Sequence, residues 1–216
     1  WGSGSYSYDA LDNITGKTLG SRTVTIGYDT AKNRVSQVTD TAGSGTQNWV
    51  YDARGNVTDN GPNTLTYDMA NQPTAITASG LNAVHTYDGN LKRVKTVRNG
   101  KTIYWVYSAL TGGLLHQHEV TDNKVTDYLT GGGVTVRRSG ASFNFTHLDH
   151  QGTPLASSHP TDGSISYFRE FYTPFGEKWQ SAAANDNDIG YTGHVMDAAS
   201  GLTYMQARYY DPVVGR

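Results

Sequence analysis

The sequence contains no cysteine. That excludes disulfides and cysteine-ligated metal sites, and it leaves the redox compartment open. Charge is scarce too: charged residues make up 17% and the net charge is -2, so there is no electrostatic footprint for nucleic acid. No apolar run approaches the roughly 20 residues of a membrane helix, and membrane insertion by this segment is not expected. Sustained 3.6-residue apolar spacing is also missing, which argues against long helices. The chain opens on Trp1 and not on Met, so its true start is expected to lie upstream and the lack of a leader is uninformative.

What is abundant is glycine, with 25 copies, and tyrosine, with 15. Aromatic residues reach 11%, more than a disordered chain of low hydrophobicity would carry. Tyr, Thr and Val favour strands, while Gly, Asn and Asp favour turns. The composition therefore predicts many short strands joined by tight turns.

The tyrosines are ordered. Tyr8-Asp9, Tyr28-Asp29, Tyr51-Asp52, Tyr67-Asp68 and Tyr87-Asp88 recur at separations of 20, 23, 16 and 20 residues. A further 20 residues reach Tyr107, where the partner is Ser108. Asn13, Asn33 and Asn56 each stand five residues after their Tyr; Asn71 and Gln72 lie near that place in the fourth unit. The fifth unit reads as one residue shorter, with Asn90. β-formers precede each Tyr (TVTIGY, TQNWVY, TLTY, AVHTY, IYWVY), a polar stretch follows, and β-formers resume. Each unit is thus about one hairpin, which is marginal alone and gains by stacking edge to edge. Turn capping is the expected role of the Asp residues; a catalytic or calcium role for any one is the alternative.

After Tyr107 the regular repeat ends, and the dipeptide returns at Tyr210-Asp211, while turn signals such as TDNK, TDGS and ASG persist between β-rich runs. Residues 181–190 read as a short helical turn and surface loop. In the last decapeptide, Val213 and Val214 read as a strand re-entered after a turn. His116 and His118 would share one strand face and, with His147, Asp149 and His150, raise the question of a zinc site. Glu170 with Glu177, or Asp186 with Asp188, raise that of paired carboxylates for glycoside hydrolysis. Nothing in the sequence fixes their separation. There is no G-x-S-x-G elbow, and GGG at 131–133 is too short for a phosphate loop. Arg137 and Arg138 on one strand should point to opposite faces. No catalytic, metal or cofactor-binding residue is assigned, and no cofactor is expected.

HLDHQGTPLAS, FYTPFGE and GYTGHVMDAASGLTYMQARYYDPVVGR resemble the RHS-repeat-associated core, and the first half resembles its YD repeats. Tyr191, Gly193, Asp197, Gly201, Leu202, Tyr204, Ala207, Arg208, Tyr209, Tyr210, Asp211, Pro212, Gly215 and Arg216 sit where that family's signature has them. Residues 1–110 then form YD-repeat hairpins, and 111–216 form the core, continuous with the same sheet. The resemblance implies an all-β fold: a strip of stacked antiparallel hairpins curling into part of a hollow β-cocoon. It turns HLDHQG into a turn motif, with Asp149 and Gly152 as turn residues. In bacteria such shells enclose a C-terminal toxin that is released by an aspartate-based self-cleavage. That motif lies beyond Arg216, so Asp211-Pro212 is not the cleavage pair.

The expected function is a non-catalytic wall segment that encapsulates and helps deliver a toxin in competition between bacteria. It would be secreted, delivered by a secretion system, or held at the cell surface. Its partners would be other segments of the shell, the enclosed toxin and, through the parent chain, an immunity protein or secretion machinery. A cell-surface carbohydrate-binding module and part of a self-cleaving protease shell are the alternatives. The tyrosines accordingly admit three roles: cross-strand core aromatics, lumen lining, or an external glycan platform. A toxin of about 130 residues has a radius near 18 Å, and a sheet wrapped about 5 Å outside it needs roughly 6,000 Å². About 150 strand residues at roughly 3.4 by 4.8 Å supply about 2,400 Å². The segment is expected to belong to a longer chain.

Overall fold

The computed structural model describes residues 3–43, 45–131, 134–179, 188–197 and 199–216. Among them the only helical element is a 3-10 turn at Tyr191–Gly193. Most of the segment 181–190 lies outside the described residues.

A five-stranded sheet comprises β1 (Gly4–Tyr8), β2 (Ile14–Leu19), β3 (Arg22–Asp29), β4 (Arg34–Asp40) and β5 (Gly45–Asn48). A 13-stranded sheet follows. It runs through β6 (Val50–Tyr51), β7 (Val57–Asp59), β8 (Asn63–Tyr67), β9 (Pro73–Ala78), β10 (Leu81–Tyr87), β11 (Arg93–Arg98) and β12 (Lys101–Tyr107). It continues through β13 (Leu114–Glu119), β14 (Lys124–Gly131), β15 (Val134–Ser139), β16 (Ser142–Leu148), β17 (Pro154–Ser158) and β18 (Ile165–Arg169). Strands pair antiparallel with their sequence neighbours throughout, so the two sheets are one meandering strip. The two meet at Trp49, where a strand that pairs with β4 through β5 turns to pair with β7 through β6. No break falls at residue 110, since β12 pairs with β13.

The strip has two rims. On one rim, two-residue turns such as Asn99-Gly100 take positive φ at both positions, 49° and 82°, the geometry that matches strand twist in a hairpin. The other rim carries the Tyr-Asp turns. There the register slips by one residue just before Tyr8, Tyr28, Tyr51, Tyr67, Tyr87, Tyr107 and Leu148. A β-bulge bends its strand and increases local twist. Bulges repeated along one rim give the strip a consistent curl.

The last stretch leaves the strip and forms a second layer. A small sheet of β19 (Val195–Asp197), β20 (Leu202–Tyr204) and β21 (Tyr209–Tyr210) lies against its inner face. Val195 packs with Ile103, Trp105, Leu114 and Tyr128. Leu202 and Tyr209 pack with Leu65, Ile76, Leu81 and Ala83. Val213 and Val214 pack with Ile14, Val24, Ile26, Val35 and Val38. The chain thus retraces the strip from later hairpins to earlier ones. Val213 and Val214 are turn residues, not the strand their β-propensity suggested: burying both against one apolar cluster outweighs local preference.

Candidate functional site

The Tyr-Asp rim divides its labour. Each Asp closes its own turn. Oδ1 of Asp9, Asp52, Asp68, Asp88 and Asp149 accepts two backbone N–H groups, two and four residues on, at 2.8–3.0 Å. Asp29 accepts that of Ala31 at 3.1 Å. HLDHQG is therefore a further copy, with Leu148 in the tyrosine's place. Neighbouring turns are tied by asparagines: Asn13 Nδ2 donates to Asp9 and to Asn33 Oδ1, and Asn56 Nδ2 donates to Asp52 and to Asn71 Oδ1.

The structure changes which unit is irregular. Tyr8, Tyr51, Tyr67 and Tyr87 face Ile14, Val57, Pro73 and Arg93, six residues on, whereas Tyr28 faces Val35, seven on. The second unit is one residue long, and the fifth is regular. Asn33 consequently holds the left-handed position, φ 47°, filled elsewhere by Asp12, Gly55, Asn71 and Leu91. The counterparts of Asn13 and Asn56 are Gln72 and Lys92. The turn needs a backbone N–H at that place, which any residue but proline supplies, so aligning side chains misplaces the register.

Each Tyr ties its hairpin to the preceding one. The hydroxyls of Tyr28, Tyr51, Tyr67 and Tyr87 donate to the carbonyls of Ile14, Val35, Val57 and Pro73, at 2.7–2.9 Å. Those acceptors are the residues facing the previous Tyr. Burial pushes the Tyr67 phenol up to about 12, so it remains a donor at neutral pH. The column is half-buried on the inner face, and Tyr8 is 51% exposed. Of the three roles, an external platform finds no geometry in these four residues. Phenylalanine at any one of them is expected to cost about 1 kcal/mol, because a carbonyl loses its donor. Urea midpoints of the single and fourfold variants measure this. A fourfold loss of nearly zero would show that the hydroxyls do not hold the hairpins together.

The signature residues dock the second layer. Tyr204 is buried, and its hydroxyl accepts the Arg93 N–H at 2.8 Å. The Arg93 guanidinium lies over the rings of Tyr204, Trp105 and Tyr209 and donates to the Tyr209 hydroxyl, which also meets His85 Nε2 at 3.1 Å. Burial, with Arg93 and Arg98 nearby, pushes His85 down to about 3, so its imidazole is neutral. Asp197 sits 3.4 Å from Arg98. Leu202 fills a core cluster and Gly201 takes φ 71° beside it. Gly193, φ 76°, backs onto the Gly152 turn, where the Thr192 N–H donates to Thr153 Oγ1. Ala207 and Arg208 are exposed in the turn between β20 and β21. Tyr210 donates to the Phe175 carbonyl at 2.9 Å.

The closing turn repeats the dipeptide's logic. Asp211 Oδ1 accepts the Val213 N–H at 2.8 Å, and Oδ2 accepts from Asn60 at 3.2 Å. The Pro212 carbonyl accepts Lys17 Nζ at 2.8 Å. A Cβ on Gly215 would stand 2.8 Å from Ile14 Cδ1. Arg216 donates to the Asn33 carbonyl and to Asn13 Oδ1, joining the signature's end to the first two turns. Beneath lies an ionic cluster: Glu177 pairs with Lys17 at 3.4 Å and Arg22 at 2.7 Å, and Arg22 also holds Asp40.

Desolvation pushes the Asp211 carboxyl up to about 6, against the pull of the Val213 N–H and Lys17. The folded chain therefore binds this proton more tightly than the unfolded chain. The stabilisation is complete below about pH 4 and is lost as pH rises through about 6. Asp211→Asn is expected to flatten that window, gaining about 2 kcal/mol over the parent chain at pH 7 relative to pH 4. Unfolding midpoints of the two chains across pH 4–7 read the difference, and parallel profiles would refute it.

The residues first considered for chemistry are dispersed or neutralised. His116 Nδ1 meets Asp127 Oδ1 at 2.7 Å across two strands; among the described residues no three His, Asp or Glu side chains could hold a metal. Glu170 pairs with Lys178 at 3.4 Å and Glu177 with its own two cations. Asp188 is bound by Arg137 at 2.7 Å, and Asp186 lies outside the described residues. Arg137 is 7% exposed and turned inward, while Arg138 faces out.

The family model of the teneurin YD-shell matches residues 3–216. A tRNA nuclease WapA of Bacillus subtilis strain 168 is 28% identical over 219 residues, which are 96% of this chain and 9% of that protein. A tRNA(Glu)-specific nuclease WapA of B. subtilis subsp. natto is 28% identical over 200 residues, 89% of this chain and 8% of that protein. The chain thus spans about a tenth of the length of these relatives. In the crystal structure of TcdB2-TccC3 a stretch superposes with TM-score 0.63 and 17% identity, covering 99% of this chain and 14% of that one. The Tc holotoxin pore of Photorhabdus luminescens gives TM-score 0.62 and 16% identity, with 99% and 14% covered. At these identities the structural likeness is one of fold.

Proposed function

The chain belongs to the teneurin YD-shell family, and from that membership we propose that it is wall, closing part of a hollow shell around a C-terminal toxin that the parent protein delivers to other cells. The observation that carries this reading is the two-layer build. A curled strip is held hairpin to hairpin by its Tyr-Asp rim, and a signature segment folds back across the inner face from the Thr153 turn to the Asn13 turn. Residues 1–110 are the hairpin wall, and 111–216 continue it and then supply the second layer. Apart from Ala207 and Arg208, which are exposed, the dipeptide and signature residues hold the wall together and take no part in chemistry.

Support comes also from the company the chain keeps. Its relatives are named as nucleases or assembled as toxin complexes, and it matches a small fraction of each. Any nuclease or self-cleaving activity is assigned to the rest of the parent chain, as are contacts with an immunity protein or secretion machinery. No helix among the described residues is long and apolar enough to cross a membrane. Electron microscopy of the full-length parent tests the proposal: a hollow body with density inside is expected, and a solid body would overturn it.

A further inference from the structure

A cavity of about 450 Å³ lies between the two layers, within the range of ligand sites. Its lining side chains carry three guanidinium groups, on Arg34, Arg208 and Arg216, and a single carboxyl, on Asp211. Arg34 is partly committed, stacked on the Tyr51 ring at 4.2 Å and 3.6 Å from Asp29. Arg216 is bound to the first two turns. The Arg208 side chain is exposed and makes no hydrogen bond or ion pair among the described residues. Its exposed fork, in the turn between β20 and β21, lines the cavity and is uncommitted. The remaining wall is aromatic and apolar, with Trp49, Tyr67 and Leu202 prominent.

The shape narrows the choice. The lining runs from Val35 on β4 to Pro73 on β9, across about four strand spacings, or about 19 Å. A compact anion would fill one end of such a trough, whereas an extended peptide of about six residues spans it. We propose that this trough binds an extended peptide segment carrying a carboxylate flanked by apolar side chains, with Arg208 forming the fork-to-carboxylate contact. That the segment comes from an enclosed chain rests on the shell reading; the binding itself does not.

Nuclear magnetic resonance titration of the 216-residue chain tests it with three probes: acetyl-Gly-Leu-Glu-Leu-Gly-amide, the same peptide with Gln for Glu, and inorganic phosphate. The Glu peptide is expected to shift the Trp49 indole signal saturably and to bind at least tenfold more tightly than the Gln peptide. Arg208→Gln should weaken it at least tenfold without moving the thermal midpoint, while Arg138→Gln, on the opposite face, should change nothing. Absence of a saturable shift, or equal binding of the two peptides, overturns the proposal. Phosphate binding as tightly as the Glu peptide also overturns it, in favour of a general anion pocket. None of these outcomes decides whether the parent forms a shell.

Discussion

Replacing Arg93 by alanine is expected to destabilise the chain by about 3–5 kcal/mol, as truncating a large buried aromatic does. The side chain is wholly buried, with its guanidinium 4.2 Å from the Tyr204 ring centre, 4.9 Å from that of Trp105 and 5.8 Å from that of Tyr209. Its Nε and Nη2 have no hydrogen-bond partner among the described residues, so the rings carry much of the charge, at up to about 2 kcal/mol for a desolvated contact. Arg93→Met retains most of the volume and is expected to recover about half the loss, which separates packing from charge. Urea unfolding measures both. A loss below about 1 kcal/mol in Arg93→Ala would mean that the second layer is held elsewhere.

Glu177→Gln is expected to cost about 3–5 kcal/mol at neutral pH, the range for stranding one member of a buried pair. Glu177 lies between Lys17, whose side chain is fully buried, and Arg22. Arg22 keeps Asp40, but Lys17 loses its paired carboxylate and keeps the Pro212 carbonyl and the Phe175 ring, 5.3 Å from Nζ. Burial already depresses the Lys17 pKa and Glu177 opposes it, so the variant depresses it further. A base whose folded pKa lies below its unfolded value loses stability as pH falls through that window. The deficit should therefore shrink as pH is raised from 7 towards 10. Adding Lys17→Met should recover part of it at pH 7. A deficit unchanged by pH and by removal of Lys17 would show that a stranded charge is not its cause.

Much of the wall was legible because it is local. Tyr8-Asp9 and its repeats encode a turn within six residues, and each strand pairs with its sequence neighbour, so period, turn and fold class follow from composition and spacing. The irregular unit was misplaced because the turn is specified by backbone N–H groups and a left-handed residue, positions that Asn33, Leu91 and Lys92 fill equally well. Leu148-Asp149 escaped the dipeptide pattern for the same reason: the Asp closes the turn whether or not a tyrosine precedes it.

The second layer was not legible in this way. Nothing near Arg93 announces Tyr204 and Tyr209, which lie 111 and 116 residues away. Lys17 gives no sign of Glu177, 160 residues on. By itself the sequence determined a hairpin-built strip, since hydrogen bonds between adjacent strands need only the chain's own order. Which face of that strip is covered, and that the covering segment runs back from Thr153 to Asn13, was decided by the tertiary structure. Apolar clusters and buried charges find their partners through the curvature of the sheet, and curvature brings together residues that no local pattern relates.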